Sequence, residues 1–259
     1  MSIAKRTDNS EFVQSLARGL AVIRAFGADE PALTLTEVAR LTDMTRASAR
    51  RFLLTLKELG YIGSDDGKHF FLRPQVLDLG YAYLSSVPWW TVAQPYMEEV
   101  TAEVNESCSA SVLDGTDIIY VARVSTRRVM TVSLGIGTRL PAYVTSMGRV
   151  LLAYLAAPKL DDYFKQARLA KLTDKTLADE AGLRRLLIEV REKGYCLVDQ
   201  ELETGVRSVA VPILDHHGSA LAAINVGTHV ARVTKAQLTS QILPALLGAS
   251  AKISRALPR

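Results

Sequence analysis

The stretch between residues 33 and 72 constrains the chain most, because its caps, breaks and turn leave little freedom of fold. Thr34-Leu-Thr-Glu37 matches a capping box, in which a hydroxyl and a carboxylate satisfy the free N–H groups of a helix start, and predicts a short helix over residues 35–41. After the tight break Thr42-Asp43-Met44, residues 46–59 repeat Ala49, Phe52, Leu53, Leu56 and Leu59 on one side and leave Arg46, Ser48, Arg50 and Arg51 on another, with Gly60 ending the helix. Two β-prone runs within residues 61–72 then flank Asp65-Asp66-Gly67-Lys68, a hairpin signal. Upstream, Val13, Leu16, Leu20 and Ile23 recur at helical spacing within residues 11–26, with Ser10 or Asn9 available as N-cap and Gly27 as C′. Three helices followed by a hairpin predict a winged helix-turn-helix.

Charge sharpens that reading. The net formal charge of +4 permits a nucleic-acid partner without demonstrating one. Within residues 40–57, however, Arg40, Arg46, Arg50, Arg51 and Lys57 stand against the single acid Asp43. In a helix-turn-helix the second helix enters the major groove, where guanidinium groups fork onto guanine edges or phosphates. Arg46, Arg50 and Arg51 meet that demand, Thr45 and Ser48 are candidate phosphate or base contacts, and Lys68 and Arg73 edge the wing. Arginines on an isolated helix more often form a solvated face, and Thr45 is equally an N-cap; the surrounding pattern favours DNA.

Residues 75–86 carry Val76, Leu79 and Tyr83 at helical spacing and stop before Pro88, which predicts a linker helix. The expected organisation is a DNA-binding domain at 1–75, a linker at 76–90 and a second domain at 91–259. In that second part helices are expected at 92–104, 145–155, 179–193 with Gly194 as C′, and 234–255 interrupted by Pro244. Strands are expected at 109–113 and 118–124 around Asp114-Gly115-Thr116-Asp117, then at 129–134, 195–199, 208–214 and 220–226. Hairpins alternating with peripheral helices predict an α+β fold on an antiparallel sheet rather than a dinucleotide-binding fold.

The exclusions are equally specific. No apolar run approaches the roughly 18 residues of a membrane span, and no apolar leader follows Met1, so a cytoplasmic protein is expected. Cys108 and Cys196 lie far apart without ligand spacing, and His69, His216, His217 and His229 form no metal pattern. Gly135-Ile-Gly137 lacks the third glycine of a dinucleotide site, and neither a nucleophile elbow nor a P-loop is present. No catalytic residue, metal or cofactor is therefore expected. Thr145-Ser146-Met147-Gly148 opens a helix just after Leu140-Pro141, and a helix N-terminus with free N–H groups suits a carboxylate. Simple N-capping by Thr145, with Gly148 allowing close packing, is the alternative.

The run Val13-Gln-Ser-Leu-Ala-Arg-Gly-Leu-Ala-Val, then Leu33-Thr-Leu-Thr-Glu-Val-Ala-Arg, then Arg46-Ala-Ser-Ala-Arg-Arg-Phe-Leu-Leu, resembles the DNA-binding domain of the IclR family of bacterial transcription regulators. Gly137-Thr-Arg-Leu-Pro-Ala-Tyr-Val-Thr-Ser-Met-Gly-Arg and Gly205-Val-Arg-Ser-Val-Ala-Val-Pro-Ile resemble its effector-domain signatures, so the likeness spans nearly the whole chain. The resemblance implies a GAF-like effector domain, a homodimer or dimer of dimers, a double-stranded DNA operator and a small organic acid as effector. Within the family the motifs are similar to the branch governing protocatechuate and β-ketoadipate catabolism. It also implies pocket positions: Asp199, where the usual first aspartate is Val198; Ser208, in place of a frequent cysteine; and Asn225, the polar remnant of a Ser-x-Ser pattern. A dicarboxylate would need a second cationic partner, for which Arg127, Arg139, Arg149 and Arg207 are available. Two rival readings stand beside this one: an enzyme in residues 90–259 in which Asp199, Ser208 and Cys108 converge, and a protein-binding scaffold without DNA.

Overall fold

A computed structural model describes residues 11–27, 30–86, 89–126 and 134–257. The chain divides into two compact units, Met1–Ser86 and Val87–Arg259.

In the first unit α1 (Gln14–Arg24) is followed by β1 (Ala32–Thr34), α2 (Leu35–Leu41), α3 (Arg46–Glu58), β2 (Ile62–Gly63), β3 (His69–Leu72), a 3-10 turn (Pro74–Val76) and α4 (Leu77–Ser86). The capping box forms as read. Thr34 N–H donates to Glu37 Oε2 at 2.7 Å and Glu37 N–H to Thr34 Oγ1 at 3.4 Å. The break between α2 and α3 holds Asp43 at φ +52°, and Gly60 ends the second helix at φ +83°, a conformation that favours glycine. Val22, Leu33, Val38, Ala39, Ala49, Leu53, Leu56, Ile62 and Phe70 form the core.

Three details differ from the sequence reading. A third strand, β1, pairs antiparallel with β3, giving the order β1-β3-β2; three residues are too few to show an alternation. Leu16 and Leu20 on α1 are exposed, because the helix turns Val22 inward instead. This helix begins after Val13 without a side-chain cap and ends at Ala25 rather than at Gly27; the expected caps Ser10 and Asn9 lie outside the described residues. No side chain of α4 is buried within the unit.

The second unit begins with α5 (Trp89–Val104), then the hairpin β4 (Cys108–Asp114) and β5 (Asp117–Val124), β6 (Arg139–Pro141), a 3-10 turn (Ala142–Val144) and α6 (Ser146–Ala153). It continues through α7 (Ala157–Gln166), α8 (Glu180–Lys193), β7 (Cys196–Asp199), β8 (Val206–Leu214) and β9 (Ala220–His229). It closes with α9 (Lys235–Gln237), a π turn (Leu238–Ile242) and α10 (Leu243–Ala256). The sheet is antiparallel throughout, in the order β6-β5-β4-β9-β8-β7, as an α+β reading requires. Successive strand residues point to opposite faces. α5 and α10 pack together and against β4, β5 and β8, while α6 packs against β7, β8, β9 and α8. A bulge between Ala110 and Ser111 shifts the register of the β4–β5 pair.

The strand expected at 129–134 falls almost wholly outside the described residues. α7 is the helix that the sequence reading omits. A proline just beyond residue 155 reads locally as the end of a helix, yet Pro158 occupies the first turn of the next one, where a missing N–H breaks no helical bond. Pro244 plays the same part at the start of α10 after the π turn. α8 ends as read, with Gly194 left-handed at φ +73°, and Asp179 caps its start by accepting Gly182 N–H at 2.6 Å.

Candidate functional site

The first unit presents a basic helix face. Thr45 caps α3, its hydroxyl accepting Ser48 N–H at 3.2 Å, and the Ser48 hydroxyl contacts Met44 Sδ at 3.8 Å. These bonds set the angle at which the helix leaves the turn. Arg46 and Arg50 are four residues apart and therefore share a side, with Arg51 about 100° around the axis. All three are exposed, as are Thr45, Arg40, Lys57 and Arg73. Among the described residues none of the three α3 arginines has a carboxylate at ion-pair distance. Lys68 stands exposed at the hairpin tip, which Asp66 braces by accepting the Lys68 N–H at 2.8 Å and the His69 N–H at 2.7 Å. Those bonds, the His69 one foremost, hold the Asp66 carboxyl well below the usual carboxylate range. The structure thus brings Arg46, Arg50 and Arg51 onto one helix surface and leaves their donors free.

The second unit encloses a cavity of about 880 Å³ on the α6 side of the sheet. A cross-strand row runs beneath it: Arg123 on β5 pairs with Ser109 on β4, which pairs with Asn225 on β9. Arg123 Nη1 donates to Ser109 Oγ at 3.1 Å and its Nε to Ser125 Oγ at 3.3 Å, with no carboxylate partner among the described residues. Tyr120, Leu134, Leu140, Leu202 and Val206 give the cavity apolar walls. Burial pushes the Tyr120 phenol up against a smaller opposing pull from Arg123, so the hydroxyl stays neutral. At the rim Arg232 pairs with Glu106 at 3.3 Å. One unpaired guanidinium beside hydroxyl and amide groups, under apolar walls, suits a small acid with an apolar body.

Of the seven residues singled out from sequence, Asn225 lines this cavity. Thr145 caps α6, accepting Gly148 N–H at 3.1 Å and donating to the Ala142 carbonyl at 3.3 Å. Ser146 and Ser208 meet hydroxyl to hydroxyl at 2.8 Å, and Met147 Sδ receives the Ser111 hydroxyl at 3.3 Å. Gly148 lies so close to Ala142 that a Cβ would overlap its backbone. Asp199 is held by Arg207 at 2.9 Å. The arginines considered for a second carboxylate are likewise engaged: Arg139 by Asp114 and Asp117, Arg149 by Glu201, Arg207 by Asp199. Arg127 lies outside the described residues. Sequence reasoning missed Arg123, and its signal was a lone charge inside the apolar strand Ile-Ile-Tyr-Val-Ala-Arg-Val.

Cys108 and Cys196 are free and buried, each thiol pushed up to about 12 by desolvation, and so not nucleophiles at neutral pH. Cys108 also pairs with Val226 whereas Ser208 pairs with the adjacent Gly227, so the two point to opposite faces of the sheet. The convergence that an enzyme would need does not occur. Among the described residues there is no cluster of metal-ligating side chains and no helix long and apolar enough to cross a membrane.

A free arginine face on a helix-turn-helix, joined in one chain to a sheet domain whose cavity holds a guanidinium, defines a ligand-responsive DNA-binding regulator. Residues 15–66 match the IclR helix-turn-helix domain and residues 81–255 the bacterial transcriptional regulator IclR C-terminal domain. The chain belongs to the IclR family of transcription regulators. It is 48% identical over 245 residues to the Pca regulon regulatory protein of Pseudomonas putida, covering 94% of this chain and 84% of that protein. Over 241 residues it is 37% identical to the p-hydroxybenzoate hydroxylase transcriptional activator of Acinetobacter baylyi, covering 91% and 89%. A solved transcriptional regulator from Rhodococcus sp. RHA1 superposes with a TM-score of 0.84 at 50% identity, over 94% of this chain and 98% of that one.

Proposed function

We propose that this regulator binds its operator through α3 and that a small acid of aromatic catabolism, β-ketoadipate-like or a hydroxybenzoate, tunes that binding from the cavity over the β4–β5–β9 row. The observation that carries the reading is Arg123, a cavity guanidinium without a described carboxylate partner while its neighbours are neutralised. A bound carboxylate supplies the missing anion. Similarity to the activator of a p-hydroxybenzoate hydroxylase and to a Pca regulator supports an aromatic-derived acid.

On this reading Arg46, Arg50 and Arg51 contact bases and phosphates, Thr45 and Ser48 help position α3 on the backbone, and Lys68 reaches a phosphate from the wing. Asn225 contacts the acid beside Arg123 and Ser109. Thr145, Ser146, Met147, Gly148 and Ser208 belong to the α6–β8 packing beside the cavity rather than to its lining, and Asp199, paired with Arg207, takes the opposite face of the sheet from Ser208. The working form is a homodimer or dimer of dimers in the cytoplasm, with half-sites about 34 Å apart on a near-palindromic operator. The domain plan follows the same reading, with residues 1–75 on DNA, 76–90 as linker and 91–259 as sensor. The acid changes operator affinity only as far as it prefers one arrangement of the protein, and DNA changes acid affinity by the same factor.

Footprinting on DNA upstream of the coding region and its neighbours, with and without protocatechuate, β-ketoadipate and 4-hydroxybenzoate across a salt series, tests this. A protected pair of half-sites whose occupancy responds to one acid is expected. Protection that ignores every acid at every salt concentration sinks the effector assignment.

A further inference from the structure

Leu202, Glu203 and Val206 wall the cavity, and the first two lie in the connection between β7 and β8. Gln200 N–H closes the ends of the connection on the Val206 carbonyl at 2.7 Å, and Val206 N–H donates to the Glu203 carbonyl at 3.2 Å, so the turn holds its own shape while side chains fix it against the neighbouring elements. Arg149, early in α6, reaches that segment. Its side chain is 1% exposed and that of Glu201 14%. The two form parallel bonds, Nη1 to Oε1 and Nη2 to Oε2, each 2.6 Å, while Arg149 Nε donates to the Tyr143 carbonyl at 2.7 Å. Glu201 Oε2 also accepts Leu177 N–H at 2.9 Å. The Thr176 hydroxyl donates to the Glu201 carbonyl and the Thr173 hydroxyl to the Gln200 carbonyl, both at 2.7 Å.

We infer that Arg149 and Glu201 are a positioning pair for effector binding, fixing the β7–β8 segment relative to α6 so that Leu202 and Glu203 shape the cavity; this rests on reading the cavity as the acid site. Stability alone does not ask for charges here. Two apolar side chains of similar volume fill such a space as well, because both ions must be stripped of water. A guanidinium–carboxylate fork, unlike an apolar contact, sets distance and orientation together. Neither residue lines the cavity itself, so the pair acts on the ligand through the wall it holds.

The test uses the full-length protein and two variants. R149M/E201M refills the volume without stranding a charge, and R149K keeps the charge while giving up the fork. Hydrogen exchange without ligand is expected to quicken by at least about tenfold at residues 200–206 in both, with residues 209–213 of β8 protected as in the unaltered protein. In calorimetric titrations with protocatechuate and 4-hydroxybenzoate, affinity for whichever acid binds the unaltered protein is expected to fall about tenfold. Unchanged exchange at 200–206 overturns the inference. So does an equal loss of protection across β7, β8 and β9, which makes the pair a general brace. If the unaltered protein binds neither acid, the acid reading fails separately and the exchange result alone decides the positioning role. Should the double variant not fold, R149K carries the same exchange criterion.

Discussion

On α3 the arginines Arg46, Arg50 and Arg51 stand in solvent without acids, whereas in the second unit Arg139, Arg149, Arg207 and Arg232 are each engaged by a carboxylate and only Arg123 faces the cavity without one among the described residues. The same side chain therefore serves three purposes. Exposed and unpaired, it can exchange water and counterions for phosphate or a base edge. Buried and forked, it fixes two segments of chain. Unpaired in a cavity, it is the group that the proposed reading assigns to an anion from outside. Residue type does not separate these cases; exposure to solvent and the presence of an acid within 4 Å do.

The comparison breaks or sharpens under substitution. The largest effect is expected from R50A/R51A: specific operator affinity falls by at least roughly 30-fold, since each bidentate base contact contributes about 1–3 kcal/mol. Fluorescence anisotropy across a salt series reads this out. If affinity and salt slope both stay the same, the α3 face is not the DNA surface.

R123M comes next. Losing a charge-assisted contact of about 1.5–3 kcal/mol weakens acid binding roughly 10- to 100-fold, measured by calorimetry. Unaltered affinity would show that the unpaired guanidinium in the cavity is not waiting for the carboxylate.

G148A tests packing rather than charge. A Cβ there meets backbone of Ala142, which no rotamer change relieves, so a stability loss of about 1–3 kcal/mol is expected by thermal melting. T34A removes a local device in the other unit, where a lost N-cap costs about 1 kcal/mol. A larger loss from T34A than from G148A would reverse the contrast between a locally specified unit and a tertiary one.

The smallest effect concerns pH. The folded Asp66 carboxyl lies below its ordinary value near 3.8, so its contribution to wing stability is complete above that pH and is lost only as pH falls through the depressed folded value. An NMR titration of Asp66 with a midpoint at or above 3.8 contradicts the bracing of the wing tip.

Much of the first unit was legible because its signals are local. A capping box, a left-handed glycine and a 3.6-residue apolar period each act within a few residues, and they located α2 and α3 to within a residue. The exposed arginines were legible for the same reason, since the face opposite a buried stripe is necessarily outward. Local signals failed where a neighbour decided the outcome. Leu16 and Leu20 fit the helical period of α1 yet stay exposed within the described residues, and Pro158 reads as a stop though it begins a helix.

The sensor unit divides the other way. Its strands and their antiparallel class could be read from alternation and turns, and the family motifs carried the reading to a regulator. Which arginine faces the cavity could not be read. Arg123 and Asn225 come to flank Ser109 only because β4 pairs with both β5 and β9, which puts residues about one hundred positions apart in the chain into one row. Arg149, Arg139 and Arg207 looked just as available until folding brought Glu201, Asp114 and Asp199 to them. By itself the sequence determined most of the elements, the basic helix face and the class of protein, because periodicity and capping are short-range. Only the tertiary structure decided which charges remain unpaired, because ion pairing depends on contacts between residues distant in sequence.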